Sequence, residues 1–273
     1  MKVPEKSPDG YQSMVQLFAE DSEKAMRLLR EIDALDSKGR YLPWEKMKYL
    51  KPPTGFSREE WWAGTKLARS KLYKELPLTD KNNRPFRFAT PDSVLKELHW
   101  IDQQTSGQII SPSPVTNPNS RDSYLISSLI DEAINSSQLE GASTTWNVAR
   151  EMLRQGRQPL DRSEQMIYNN YQAMQFIREC KDEPLTPAMV LELHKITTRN
   201  TLENPGAAGC LRKDSDDVQV VDSRSSEILH TPPKAEELPR RLEQLCAFAN
   251  GKEENGFLHP VIRGILLHFM LAY

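Results

Sequence analysis

A helical repeat of apolar residues runs through most of the chain and constrains its fold more than any other feature. Apolar side chains that recur every three or four residues line one face of a helix. The ranges Met14–Leu35 and Ser57–Leu76 are predicted helices on this basis, and the second opens with the capping-box sequence SREE. Another helix is predicted to open at Thr90-Pro91, which suits an N-cap and first helical position.

Predicted helices follow one another closely in the second half of the chain. Gly141 and Gly156 mark the ends of two of them, because glycine commonly follows the last helical residue. The predicted helices are Asp122–Glu140, Thr144–Gln155, one opening at Asp161, one opening at Thr186, one carrying Leu242 and Leu245, and one in Phe257–Tyr273.

The last of these segments, FLHPVIRGILLHFMLAY, is apolar around most of its circumference. A helix of this kind is expected to be buried on most sides. Nothing polar follows Tyr273, although chain ends are normally polar and exposed. We therefore expect either that the chain has been cut at this point or that a partner covers its last helix.

One β-hairpin is predicted in an otherwise helical chain. The ranges Val218–Val221 and Glu227–His230 flank a short polar turn, which is the pattern of two paired strands. The predicted fold class is therefore all-α, a mainly helical bundle with one β-hairpin.

The segment SPSPVTNPNS, residues 111–120, is the clearest linker in the sequence. Prolines among serine and asparagine residues disfavour both helix and strand. The linker separates a predicted helical region at 1–110 from a predicted second domain at 121–273.

The bulk composition narrows the class of protein. A formal net charge of −2 gives no overall electrostatic reason to bind nucleic acid or a membrane surface. Three cysteines without a CxxC pair do not form a disulfide framework, which favours a reducing compartment. The N-terminus has no apolar signal core, and no apolar run reaches the ~20 residues of a membrane span. The predicted location is the cytoplasm.

Common catalytic and metal-binding motifs are missing from the sequence. It contains no P-loop, GxGxxG, GxSxG or HExxH pattern. The five histidines are scattered, and none stands at a metal-ligand spacing from Cys, Asp or Glu. We therefore predict no metal site and assign no catalytic residue.

Glu140 is the residue whose position calls for an explanation. It lies at the predicted end of a helix, where the helix dipole is negative and a carboxylate is mildly unfavourable. Ser136 lies four residues earlier on the same face. Glu140 is either an exposed residue beside a glycine cap, at a small energetic cost, or a carboxylate kept for a cation from another part of the fold.

The sequence SSQLEG, Ser136–Gly141, resembles the [S/T]xxxE[G/N] inhibitory motif of the Fic-domain family. The resemblance extends through LISSLIDEAINSSQLEGASTT, RSEQMIYNNYQAM, LTPAMVLELHKI and HPVIRGILLHFMLAY. Residues before Ser111 resemble the N-terminal region that accompanies many bacterial Fic proteins. The chain is therefore identified as similar to class II Fic proteins, whose inhibitory helix precedes the core.

The resemblance implies an activity and several site residues. Most Fic proteins are adenylyltransferases that move AMP from ATP onto a hydroxyl of a target protein (AMPylation), with Mg²⁺ at the active site. It implies that Glu140 pairs with an arginine of the catalytic motif and that Ser136 and Gly141 complete the inhibitory motif. It also implies that the hairpin is a flap that docks a protein target by strand addition. The implied flap residues are Val218, Gln219, Val220, Val221, Ile228 and Leu229.

The family's catalytic motif, HPFx[D/E]GNGRxxR, is absent from this sequence. His259-Pro260 echoes its first two residues, but Val261-Ile262-Arg263 follows instead of the glycine-rich turn. The chain is thus expected to be truncated before the motif, to bind ATP and Mg²⁺ unproductively if at all, and to lack adenylylation activity. The alternative is a non-catalytic helical module that regulates a protein partner through its exposed C-terminal helix.

Overall fold

The computed structural model describes residues 5–105, 118–216, 218–222, 225–252 and 256–273, with the backbone alone for 118–124 and 272. The chain forms two compact units, residues 1–108 with 221–229 and residues 109–220 with 230–273. Most of the described backbone is helical, so the prediction of a mainly helical fold is confirmed. Of the predicted linker, residues 111–117 lie outside the described part, and residues 118–120 belong to a helix.

The first unit contains five helices and one β-hairpin within its described residues. Its helices pack around a core of aromatic and aliphatic side chains, in which the rings of Trp44 and Trp62 lie 5.7 Å apart. The elements are α1 Gly10–Glu20, α2 Ser22–Glu31, α3 Trp44–Met47, α4 Arg58–Ser70, β1 Lys74–Thr79, β2 Pro85–Phe88 and α5 Asp92–Thr105.

The first predicted helix, Met14–Leu35, is wrong as a single element. Asp21 divides it, because its backbone N–H closes α1 on the Leu17 carbonyl while its carboxylate accepts the Lys24 N–H at 2.8 Å and opens α2. A side chain that bonds nearby backbone competes in this way with continuation of the helix. Because the chain is divided at Asp21, α1 and α2 can take different directions, and the apolar face of each packs against α4.

The helix predicted to reach Leu76 is also too long, and the prediction of a single hairpin is wrong. Helix α4 ends at Ser70, and β1 pairs with β2 in an antiparallel register that sets Glu75 opposite Arg87. Leu76 and Leu78 are both buried, so their spacing of two follows the strand period. The carboxylate of Asp80 accepts two backbone N–H groups in the connecting turn, which fixes the hairpin.

Close approach of two helices in the first unit depends on Gly64. A methyl group at this position on α4 would lie 3.0 Å from Leu28 Cγ and 3.3 Å from Ile32 Cβ. The missing side chain therefore lets α4 pack tightly against α2.

The second unit carries the remaining helices. Its core lies between α6, α7 and α8 and includes Ile130, Ile134, Met152 and Ile167. The helices are α6 Pro118–Leu139, α7 Trp146–Gln155, α8 Arg162–Glu179, α9 Pro187–Thr198, α10 Leu238–Ala249 and α11 Pro260–Ala272. Strands β3 Val220–Val221 and β4 Ile228–His230, of which residues 221–229 are assigned to the first unit, pair in a second small sheet at the place where the sequence predicts a hairpin.

The final helix, α11, is less buried than its composition predicts. Ile265, Phe269 and Leu271 expose 60%, 51% and 63% of their surfaces. No described residue of α11 is fully buried. The expectation that this helix is covered on most sides is therefore wrong for the chain as it folds here, and an apolar face of α11 remains in contact with solvent.

Candidate functional site

The turn that ends α6 holds all three predicted inhibitory residues, Ser136, Glu140 and Gly141. The N–H of Ala142 donates to the Ser137 carbonyl at 2.9 Å, and the N–H of Gly141 donates to the Gln138 carbonyl at 3.1 Å. These two bonds form a Schellman motif, which requires a left-handed residue after the helix. Gly141 supplies it with a φ of 100°. Glu140 is thereby placed at the C-cap position, one residue beyond Leu139, so the predicted helix Asp122–Glu140 is one residue too long at this end.

Ser136 joins this turn to α8. Its hydroxyl donates to the Glu132 carbonyl at 2.9 Å and accepts the side-chain amide of Asn170 at 2.6 Å. The same amide lies 3.2 Å from Ser137 Oγ. Asn170 thus holds the last turn of α6 against α8 through polar contacts that are only partly exposed to water.

The loop after Glu140 is held by two further contacts. Gln138 Nε2 donates to the Thr144 carbonyl at 2.8 Å. The backbone N–H and hydroxyl of Ser143 both lie 3.1 Å from Ser163 Oγ, at the start of α8. The backbone on either side of Glu140 is therefore fixed to the helices beneath it.

The carboxylate of Glu140 itself is exposed. Within the described residues it makes no hydrogen bond or ion pair, so nothing there offsets the unfavourable interaction with the α6 dipole. The site therefore consists of a carboxylate on a rigid turn, directed to solvent. Such a group can accept an arginine or lysine that is supplied from outside the described part of the chain.

An ion pair between the partly exposed Arg157 and the buried Glu164 stabilises the segment that leads into α8. Arg157 donates two hydrogen bonds to Glu164, at 2.9 and 2.8 Å, and the Leu160 N–H donates a third at 2.8 Å. Glu164 is only 4% exposed. The bonds from Arg157, more than those from the backbone, lower the pKa of the Glu164 carboxyl below its ordinary value. This glutamate therefore remains ionised at neutral pH and joins the α7–α8 loop to α8.

Sequence reasoning missed the two asparagines of α8. Asn170 faces α6, whereas Asn169 is buried and donates to the carbonyls of Thr197 and Arg199 at 3.1 and 2.7 Å, at the end of α9. Adjacent residues of a helix point about 100° apart, so one pair can reach two neighbours. The signal in the sequence is NN between two tyrosines in a helix with an apolar face, because buried polar residues require partners.

The residues of the predicted flap lie on or beside the second hairpin. Val220 and Val221 form β3, Ile228 and Leu229 begin β4, and Val218 and Gln219 precede β3. The five apolar side chains among them expose about half of their surfaces. At the base of the hairpin, the His230 ring nitrogen Nε2 lies 2.9 Å from the Tyr273 carbonyl oxygen. The hairpin therefore offers a short apolar strand pair to solvent.

In the described part of the chain, no group of three or more His, Cys, Asp or Glu side chains lies close enough to hold a metal ion. None of its helices is long and apolar enough to cross a membrane. Neither the family models nor the curated proteins with which the chain was compared give a match.

Proposed function

We propose that this chain is the regulatory and target-docking part of a Fic-type protein adenylyltransferase. The proposal rests on the Fic-like sequence between Ser120 and Tyr273 and on the position of Glu140. The observation that supports it most directly is an exposed carboxylate on a turn fixed by the Schellman bonds and by Asn170. A rigid acid of this kind suits the pairing with a catalytic arginine that the inhibitory motif implies.

The proposed division of roles follows from the resemblance. Glu140 would pair with an arginine of the family's catalytic motif and would displace the γ-phosphate of ATP. The β3–β4 hairpin would add a strand from the target protein, with its main-chain groups giving register. Because the sequence contains no catalytic motif, the chain as given is proposed to have no adenylylation activity of its own.

The pairing can be tested with the synthetic peptide HPFLDGNGRVAR, which follows the family's motif. We expect the chain to bind this peptide and the variant Glu140→Gln to bind it at least ~5-fold more weakly, since a charge-assisted bond is worth about 1 kcal/mol or more. Isothermal titration calorimetry at low salt measures both. The matched control is Glu132→Gln, an exposed glutamate of the same helix, which should bind like the parent.

Two results would contradict the proposal. Equal binding by the parent and Glu140→Gln would remove the role of the carboxylate. Labelling of the chain or of Glu140→Gly after incubation with labelled ATP and Mg²⁺ would show that the chain has an active site of its own.

A second function is favoured by one specific observation, the exposed apolar face of α11. Ile265, Phe269 and Leu271 are each more than half exposed. Ile265 and Phe269 lie four residues apart and are neighbours on the helix surface, and adjoining exposed apolar side chains mark interaction surfaces. In this alternative the chain is a non-catalytic module that regulates a protein partner through α11, and removing Glu140 would leave its binding unchanged.

A further inference from the structure

A cavity in the first unit is lined by none of the residues that the proposed function uses. It has a volume of about 830 Å³ and is bordered by the loop before α3, the strand β2 and the start of α5. Cavities of this size hold small organic molecules. Its wall includes the rings of Tyr41, Tyr73 and Phe88 together with Pro91 and Val94.

The charged groups at this cavity are arginines. Arg40 and Arg87 line it, and no Asp or Glu is among the lining residues. Each arginine has a carboxylate neighbour outside the lining, with Arg40 Nη2 2.6 Å from Asp36 and Arg87 Nη2 3.0 Å from Glu75. The pair at Arg87 is more than half exposed on both sides, and pairs of this kind contribute little free energy. Arg87 can therefore turn toward a ligand at little cost.

A third arginine lies behind the wall. Arg69 is 3% exposed, and its guanidinium lies 3.7 Å from the centroid of the Tyr41 ring. It donates to the carbonyls of Ala34 and Leu42 at 2.8 and 2.9 Å, and no carboxylate pairs with it in the described part of the chain. A buried charge without a counter-ion keeps a positive potential around it. The three guanidinium groups at this site are therefore balanced by only two carboxylates, those of Asp36 and Glu75.

Tyr41 in the wall is neutral at physiological pH. Burial, and then the hydrogen bond to Tyr73, raise the pKa of Tyr41 to about 12, against the opposite effect of Arg69. The Tyr41 hydroxyl therefore remains uncharged and does not act as a counter-ion for Arg69. The wall offers flat aromatic faces and hydroxyl groups rather than an acid.

We propose that this cavity binds a small aromatic carboxylate. The rings of Tyr41, Tyr73 and Phe88 contact the aromatic body, and Arg87 at the rim pairs with the carboxylate in a field that Arg69 makes positive. Aromatic packing and a guanidinium–carboxylate pair favour a planar acid over a neutral molecule of the same shape.

The test compares 2-naphthoate with its neutral analogue, 2-naphthalenemethanol, by saturation-transfer NMR and calorimetry on the full chain. For a molecule of this size we expect a Kd of ~1 mM for the acid and binding at least ~5-fold weaker for the alcohol. Arg87→Gln should remove most of this preference. Arg84→Gln is the control, because Arg84 is exposed in the β1–β2 turn and does not line the cavity.

Occupancy of the cavity is tested separately by filling it. Val94→Trp and Ser93→Trp should each abolish binding of both molecules, and Ser93 is exposed, so its variant is expected to fold. Circular dichroism checks the fold. Equal binding of acid and alcohol, an unchanged preference in Arg87→Gln, or binding that survives in a folded Ser93→Trp variant would each overturn the proposal.

Discussion

At the scale of single residues, the conformation of Gly141 decides where Glu140 stands. Its φ of 100° lies in the left-handed region, where a Cβ costs roughly 1–2 kcal/mol. The Schellman bonds that set the turn depend on this conformation. Glu140 is therefore placed by its neighbour rather than by contacts of its own side chain.

Replacing Gly141 with alanine should lower the free energy of unfolding by about 1–2 kcal/mol, because alanine adopts this φ only with strain. Urea denaturation followed by circular dichroism measures the change. The control is Gly264→Ala on α11, where an added methyl group meets nothing within 4 Å and should stabilise the helix by about 0.5–1 kcal/mol. A Gly141→Ala variant as stable as the parent would mean that the turn takes another form in solution.

Glu164 makes the stability of the folded chain depend on pH in the acid range, and the direction of the change follows from its lowered pKa. Its pKa is lower in the folded chain than its ordinary value of 4.5, so the unfolded chain binds more protons at acid pH. The stabilisation is present above about pH 4.5 and is lost as the pH falls through the lower pKa of the folded state.

We therefore expect urea midpoints measured between about pH 7 and about pH 3 to fall more steeply for the parent than for Glu164→Gln. The substitution should also destabilise the chain at neutral pH, because it breaks the bonds from Arg157. Glu183→Gln, at an exposed glutamate of the same unit, should keep the parent's pH profile. Parallel profiles for the parent and Glu164→Gln would contradict the role of the Arg157–Glu164 ion pair.

At the scale of elements, α8 organises the second unit. Its Asn169 contacts the end of α9, and its Asn170 contacts the end of α6. Near its N-terminus, Ser163 contacts the loop between α6 and α7, and Glu164 contacts the loop between α7 and α8. Polar contacts of this kind are directional, so they fix the relative position of helices that apolar packing alone would leave freer.

The variant Asn170→Ala should lower the free energy of unfolding by about 1–3 kcal/mol, since it leaves Ser136 and Ser137 without this partner. Amide hydrogen exchange should increase at the last turn of α6, around residues 136–142, more than elsewhere in the unit. Asn135→Ala on α6 is the control, because Asn135 is exposed and its change should be nearly neutral. An equal increase in amide hydrogen exchange across the whole unit would contradict a local role for Asn170 at the end of α6.

At the scale of the whole molecule, the exposed apolar side chains of α11 offer a surface through which the chain could associate. Side chains such as Ile265 and Leu271 expose more than half of their surfaces. Burying them against another surface removes apolar area from water at about 25 cal/mol per Å². Two copies of the chain, or the chain and a protein partner, can supply that surface.

We expect the purified chain to elute from size-exclusion columns larger than a monomer, in a concentration-dependent way. The double variant Ile265→Lys and Leu271→Lys should shift it toward the monomer, because lysine disfavours apolar association. Val148→Lys, at an apolar residue of α7 that is 44% exposed, tests whether any surface lysine has this effect. A parent that elutes as a monomer at every concentration would exclude self-association through α11.

The sequence alone predicts most of the helices and one of the hairpins. Capping residues at Ser57, Asp161 and Thr186 begin helices where they are predicted, because a side-chain cap is a local interaction between neighbours in the chain. The sequence does not predict the β1–β2 hairpin or the break at Asp21. Helical and strand periods overlap in short apolar runs, and a capping residue within a long helical pattern resembles the interior of a helix.

By itself, the sequence determines a mainly helical chain and the juxtaposition of Ser136, Glu140 and Gly141, because these depend on spacings of a few residues. Only the tertiary structure decides that Asn170 holds this turn, that Glu140 is exposed, and that Arg69 is buried behind an aromatic cavity. Each of these depends on residues that are distant along the chain, and pairing between distant groups leaves no periodic trace in a single sequence. The exposure of α11 belongs to the same class, because burial depends on what the rest of the fold brings to a helix as well as on its own composition.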